Sequence, residues 1–94
     1  MMIDDARKEI DRVDSEIVRL IARRQDLAGK IARIKISSGL PVHDEERTEE
    51  VLEGVFNRAV ENRIDPVSVQ KIFETLISMS EERQRECSGD GNLP

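Results

Sequence analysis

The sequence predicts an all-α fold with three helices per subunit, one long amino-terminal helix and two shorter ones, assembled as an intertwined homodimeric helical bundle. Apolar residues recur at helical spacing through three separate stretches, the longest running from Ile3 to Ser38. Hydrophobic and charged residues each make up 37% of the chain, with two Phe and neither Trp nor Tyr. That mixture, in long stretches free of Pro, reads as helical rather than β. Ninety-four residues allow one small core, assigned here to residues 1–87, with 88–94 as a frayed tail.

The first helix is written in heptads. Ile3, Ile10, Ile17 and Ile31 fall on one seam position, and Ala6, Val13, Leu20, Leu27 and Ile34 on the other. The seam is interrupted only by Arg24, a cation that must meet an anion or bear a desolvation cost of several kcal/mol. Asp4 or Asp5 is the expected cap, and Ser37-Ser38-Gly39 followed by Pro41 ends the helix. The resulting rod is about 50 Å long, against a radius of gyration of ~12 Å for a compact domain of this size. It is too long for its own chain to cover, and a second copy is the simplest supplier of the missing surface.

After the loop Gly39 to His43, Asp44 caps a second helix reaching Asn62, with Val51, Leu52, Val55, Phe56 and Ala59 as its apolar stripe. Glu45, Glu46, Glu49 and Glu50 load its first turns with charge that favours the helix dipole. Asp65-Pro66 then supplies an N-cap and a first-turn proline for the third helix. Its stripe, Val69, Ile72, Phe73, Leu76 and Ile77, turns polar at Ser80 and Gln84.

The formal charge of −5 opposes nucleic-acid binding but permits a local cationic pocket. Cys87 alone allows no internal disulfide and suits a reducing compartment. There is no apolar run of membrane-spanning length. With Asp4 and Asp5 so near Met1, no signal peptide is expected. A cytoplasmic protein is the resulting expectation. His43 is the only histidine, so no histidine-rich metal site can form within one chain, and no cofactor is implied.

Arg24 and Lys35 are eleven residues apart and point the same way within ~20°. Arg7 lies roughly 100° around the helix and ~25 Å away along it. It can join Arg24 only from a second chain laid antiparallel. Two guanidiniums and an ammonium would then suit a small dicarboxylate. The competing reading pairs Arg24 in a salt bridge with Asp14, Asp26 or Asp44 of either chain, in a non-catalytic helical dimerisation module. Ser80 and Gln84 share one face, either as ordinary residues where the stripe meets solvent or as neutral donors.

Taken together, Arg7, Ile10 and Asp14, then Leu20, Arg24, Leu27, Ala28 and Lys35, then Pro41-Val42-x-Asp44 with Arg47, and finally Phe73, Ser80 and Gln84 closely resemble the all-helical (type II) chorismate mutases, without gaps. The resemblance implies a Claisen rearrangement of chorismate to prephenate in an intertwined dimer with two equivalent sites. It implies that Arg24 and the partner subunit's Arg7 clamp the carboxylates, and that Lys35 and Gln84 donate to the ether oxygen. Ser80 would assist one carboxylate, Asp44 would lie beside the ring hydroxyl, and Arg47 would support the site by its charge. Thr48 departs from the pattern, standing where the family often has a glutamate that accepts from that hydroxyl. The nearest enzymatic alternative is an isochorismate-pyruvate lyase, similar in fold and cationic pocket.

Overall fold

The computed structural model describes residues 2–88 and contains three helices, α1 (Ile3–Ser38), α2 (Glu45–Glu61) and α3 (Pro66–Cys87). These bounds match the expected elements, α2 being flanked by Asp44 and Asn62. The expected tail lies, beyond Ser88, outside the described residues.

One cap differs from expectation. The backbone of Met2, extended at φ −75° and ψ 153°, starts α1 with no side-chain cap, its carbonyl accepting from the amides of Asp5 and Ala6. Asp4 and Asp5 therefore sit inside the first turn. There they act on the positive end of the helix dipole rather than on a single amide. At the other end Gly39 takes φ 68°, Leu40 N–H donates to Lys35 O at 2.8 Å, and Gly39 N–H donates to Ile36 O. That pair of bonds is a Schellman stop, which needs the left-handed residue glycine supplies.

The other two caps follow the sequence. Asp44 Oδ1 accepts from Arg47 N–H at 3.0 Å, and Asp65 Oδ1 accepts from Val67 N–H beside Pro66. Arg63, at φ 59°, closes the turn between α2 and α3 as Ile64 N–H donates to Ala59 O.

Helix α3 packs against both α1 and α2, whose backbones do not approach one another. Small residues allow the α1 contact: Ala28, Gly29 and Ala32 are its buried positions. A methyl added at Gly29 would lie 3.4 Å from Cys87 Sγ. Val55 and Ala59 bury the corresponding face of α2. The core is thus thin, and the apolar seam of α1 stays largely exposed along its length. Ile3, Ile10, Val13, Ile17 and Leu20 keep 49–64% of their surface exposed. The dimensions agree, with extents of 54 × 30 × 16 Å and a radius of gyration of 16.5 Å.

Gly39 has nothing within 4 Å of an added Cβ, so only its backbone conformation resists substitution. Gly39→Ala is expected to lower the unfolding free energy by about 1 kcal/mol. Urea denaturation should report this as a lower midpoint with an unchanged slope.

Candidate active site

The separation of α1 from α2 leaves a cavity of about 310 Å³ floored by α3. Helix α1 contributes Arg24 and Lys35, the connection contributes Asp44, α2 contributes Arg47 and Thr48, and α3 contributes Ser80 and Gln84. Every site residue expected from sequence therefore lines one cavity except Arg7. Arg7 is exposed on the first turns of α1 and takes no part in this pocket.

Gln84 is the one buried polar side chain among the described residues, at 6% exposure. Lys35 Nζ donates to Gln84 Oε1 at 2.9 Å and to Val42 O at 2.6 Å. An ammonium can only donate, so the amide oxygen must face it. That orients the Gln84 NH2 toward Ser80, whose Oγ accepts at 3.3 Å. The Ser80 hydroxyl proton, one Gln84 N–H and one Lys35 N–H are left for a ligand.

Arg24 donates from Nη1 to the carbonyl of Leu76 at 3.0 Å. Its guanidinium pKa is lowered, first by burial and then by the nearby charge of Arg47. Among the described residues no carboxylate forms an ion pair with Arg24 or Lys35. The internal partners considered for Arg24, namely Asp14, Asp26 and Asp44, are therefore not its partners in this chain. Arg47 reaches Glu50 at 3.8 Å across exposed surface. Arg47 thus repels Arg24 across the pocket, and among the described residues neither Arg24 nor Lys35 has an ion-pair partner, an arrangement that favours an entering anion.

Thr48 lies in the cavity wall, and its Oγ donates to the Asp44 carbonyl at 3.1 Å. Its hydroxyl proton is committed, so toward a ligand it presents lone pairs. Two neighbouring groups escaped the sequence reading. Glu81 lines the cavity, and His43 bonds to it at 3.0 Å. The signal for Glu81 was its i, i+3 spacing to Gln84. His43 was weighed only as a metal ligand, although it sits between Val42 and Asp44, both in the cavity wall.

Comparison with known proteins finds relatives along most of the chain. Residues 6–85 match the family model described as chorismate mutase type II. The chain is 34% identical over 82 residues to a chorismate mutase of Methanocaldococcus jannaschii, covering 87% of this chain and 83% of that protein. It is 38% identical over 79 residues to a bifunctional chorismate mutase/prephenate dehydratase of Aquifex aeolicus, covering 81% of this chain but only 22% of that protein. Among solved structures, a conserved hypothetical protein from Pyrococcus furiosus superposes with a TM-score of 0.70 at 35% identity, covering 88% of this chain and 95% of that one.

An unpaired, partly desolvated cation contributes little to folding. Arg24→Met is therefore expected to leave the unfolding free energy unchanged to within about 1 kcal/mol, read from thermal and urea melts. A large loss would mean that Arg24 is a structural ion after all.

Proposed function

The chain belongs to the type II chorismate mutase family, and on that premise we propose that it catalyses the Claisen rearrangement of chorismate to prephenate, a step toward phenylalanine and tyrosine. The observation that carries the reading is the convergence of Lys35 and Gln84, 2.9 Å apart, in a cavity where Arg24 has no carboxylate partner among the described residues.

The reaction is unimolecular. An ether C–O bond breaks as a C–C bond forms, and no proton changes place. It calls for no nucleophile or general base. It requires the substrate to be held in its compact diaxial form, with the growing negative charge on the ether oxygen stabilised. In this reading the remaining N–H groups of Lys35 and Gln84 donate to one acceptor, the ether oxygen. Both side chains are already fixed by hydrogen bonds, so little reorganisation accompanies the reaction.

Arg24 binds one carboxylate, and the free Ser80 hydroxyl proton assists a carboxylate. Arg47 adds positive potential without a close contact. Asp44 lies beside the ring hydroxyl and accepts from it. Thr48 can accept from the same hydroxyl through a lone pair but brings no charge, so Asp44 carries the electrostatic part of that recognition.

The second carboxylate is met by Arg7 of the partner subunit in an antiparallel homodimer. Support for the dimer comes from the uncovered α1 seam and from an apolar groove lined by Ile17, Leu20, Ile21, Ile72, Phe73 and Leu76 that ends at Arg24. We place the active unit at residues 1–87. No helix of the described residues is long and apolar enough to cross a membrane, and a cytoplasmic location remains part of the proposal.

Purified protein should abolish the ultraviolet absorbance of chorismate and yield a product that acid converts to phenylpyruvate. No loss at micromolar enzyme would overturn the assignment. Release of pyruvate from isochorismate without prephenate from chorismate would transfer it to the lyase. Lys35→Ala and Gln84→Ala should each lower kcat by about 10²–10³-fold, the range for losing one preorganised oxyanion donor. Far-ultraviolet circular dichroism should show their helix content intact.

A further inference from the structure

His43 is placed where three elements meet. Its neighbours Val42 and Asp44 line the cavity from the α1–α2 connection. Its Nδ1 lies 3.0 Å from Glu81 Oε1 on α3, and its Nε2 lies 2.8 Å from Glu45 Oε2 on α2. An ionised carboxylate only accepts, so both ring nitrogens must donate at once. A neutral imidazole carries a single N–H, and the arrangement therefore belongs to the imidazolium.

Glu81 is the carboxylate that matters for the pocket. It lines the cavity with only 19% of its side chain exposed, and its other oxygen is 3.6 Å from Arg85. The charged groups that meet the imidazole are Glu45 of α2 and Glu81 of α3; Arg85 of α3 shares Glu81, and Lys35 of α1 bonds to the carbonyl of the neighbouring Val42. Asp44 is turned to the backbone amide of Arg47. A Glu81 carboxylate released into the cavity would oppose a dianion bound by Arg24.

We infer that His43 is a positioning residue, whose imidazolium holds the Glu81 carboxylate away from the substrate and fastens the loop carrying Val42 and Asp44 to α3. The inference rests on the dianionic substrate proposed above. The pair of carboxylates raises the His43 pKa from its ordinary 6.5, Glu81 contributing most and Glu45 next. For a group raised in the folded state, the added stability is complete below the ordinary value and disappears as pH climbs through the raised one. Substrate affinity falls across the same interval, as the imidazolium loses its proton.

The test is steady-state kinetics against pH for the wild type, His43→Gln, His43→Arg, Glu81→Gln and the His43→Gln/Glu81→Gln pair. Because His43 is the only histidine, its ring resonances can be titrated by NMR in the same proteins that retain it. His43→Gln should raise KM about threefold with kcat unchanged, a modest effect befitting a half-exposed ion group. The wild-type rise of KM with pH should vanish in His43→Gln. His43→Arg, permanently charged, should keep the low KM at every pH. Adding Glu81→Gln to His43→Gln should restore KM, and Glu81→Gln alone should bring the ring titration down toward 6.5. A wild-type KM in His43→Gln overturns the positioning role alone, as does a KM defect that Glu81→Gln does not relieve. Wild-type protein that does not turn over chorismate overturns the functional reading and the positioning role together.

Discussion

The length of α1 is the constraint on which the rest depends. A helix of 36 residues is served by two others of 17 and 22. Of these only α3 packs against it, and the buried positions of α1 are three. The contact is made at Ala28, Gly29 and Ala32, where missing side-chain bulk lets α3 approach closely. With α3 pressed on both neighbours and α1 held away from α2, the space between them becomes the cavity. The pocket is thus a product of how the chain packs, and the open apolar seam of α1 has the same origin.

Charge placement at that cavity is what the proposed anionic substrate would call for. Arg24 has a backbone carbonyl for a partner, and both burial and Arg47 work against its charge. Lys35 is held by the Val42 carbonyl and the Gln84 amide, neither of which neutralises it. Neutral acceptors fix the direction of these cations without cancelling their field. An internal carboxylate would have stabilised the free protein and weakened its hold on an anion. Glu81 of the cavity wall, together with Glu45 outside it, is instead engaged by His43.

Much of the fold was legible in the sequence because it depends on periodicity and on local caps. The heptad seam located α1, and Gly39, Asp44 and Asp65-Pro66 marked its neighbours by side-chain and backbone chemistry that acts within a few residues. The amino terminus of α1 was misread because Met2 needs only an extended backbone to start the helix, and no side chain announces that. In the site, Arg24 stood out as a charge in an apolar seam, and Lys35 followed from its angle around the same helix. Ser80 and Gln84 became meaningful only through resemblance to a family, since a polar end to an apolar stripe has ordinary explanations. His43 with Glu81 was invisible, being separated by 38 residues and dependent on how α3 crosses the connection. The carbonyl partner of Arg24 was equally hidden, because every residue offers a carbonyl.

The uncovered seam of α1 also has a consequence for behaviour on dilution. In the dimeric reading, folding of the long helix and completion of the pocket both depend on a second molecule, so mass action enters stability and turnover alike. Specific activity would then fall on dilution below the dissociation constant of the pair, while the affinity of each assembled pocket stayed the same. A substrate bridging both chains would oppose that loss, since its binding free energy would also hold the protomers together.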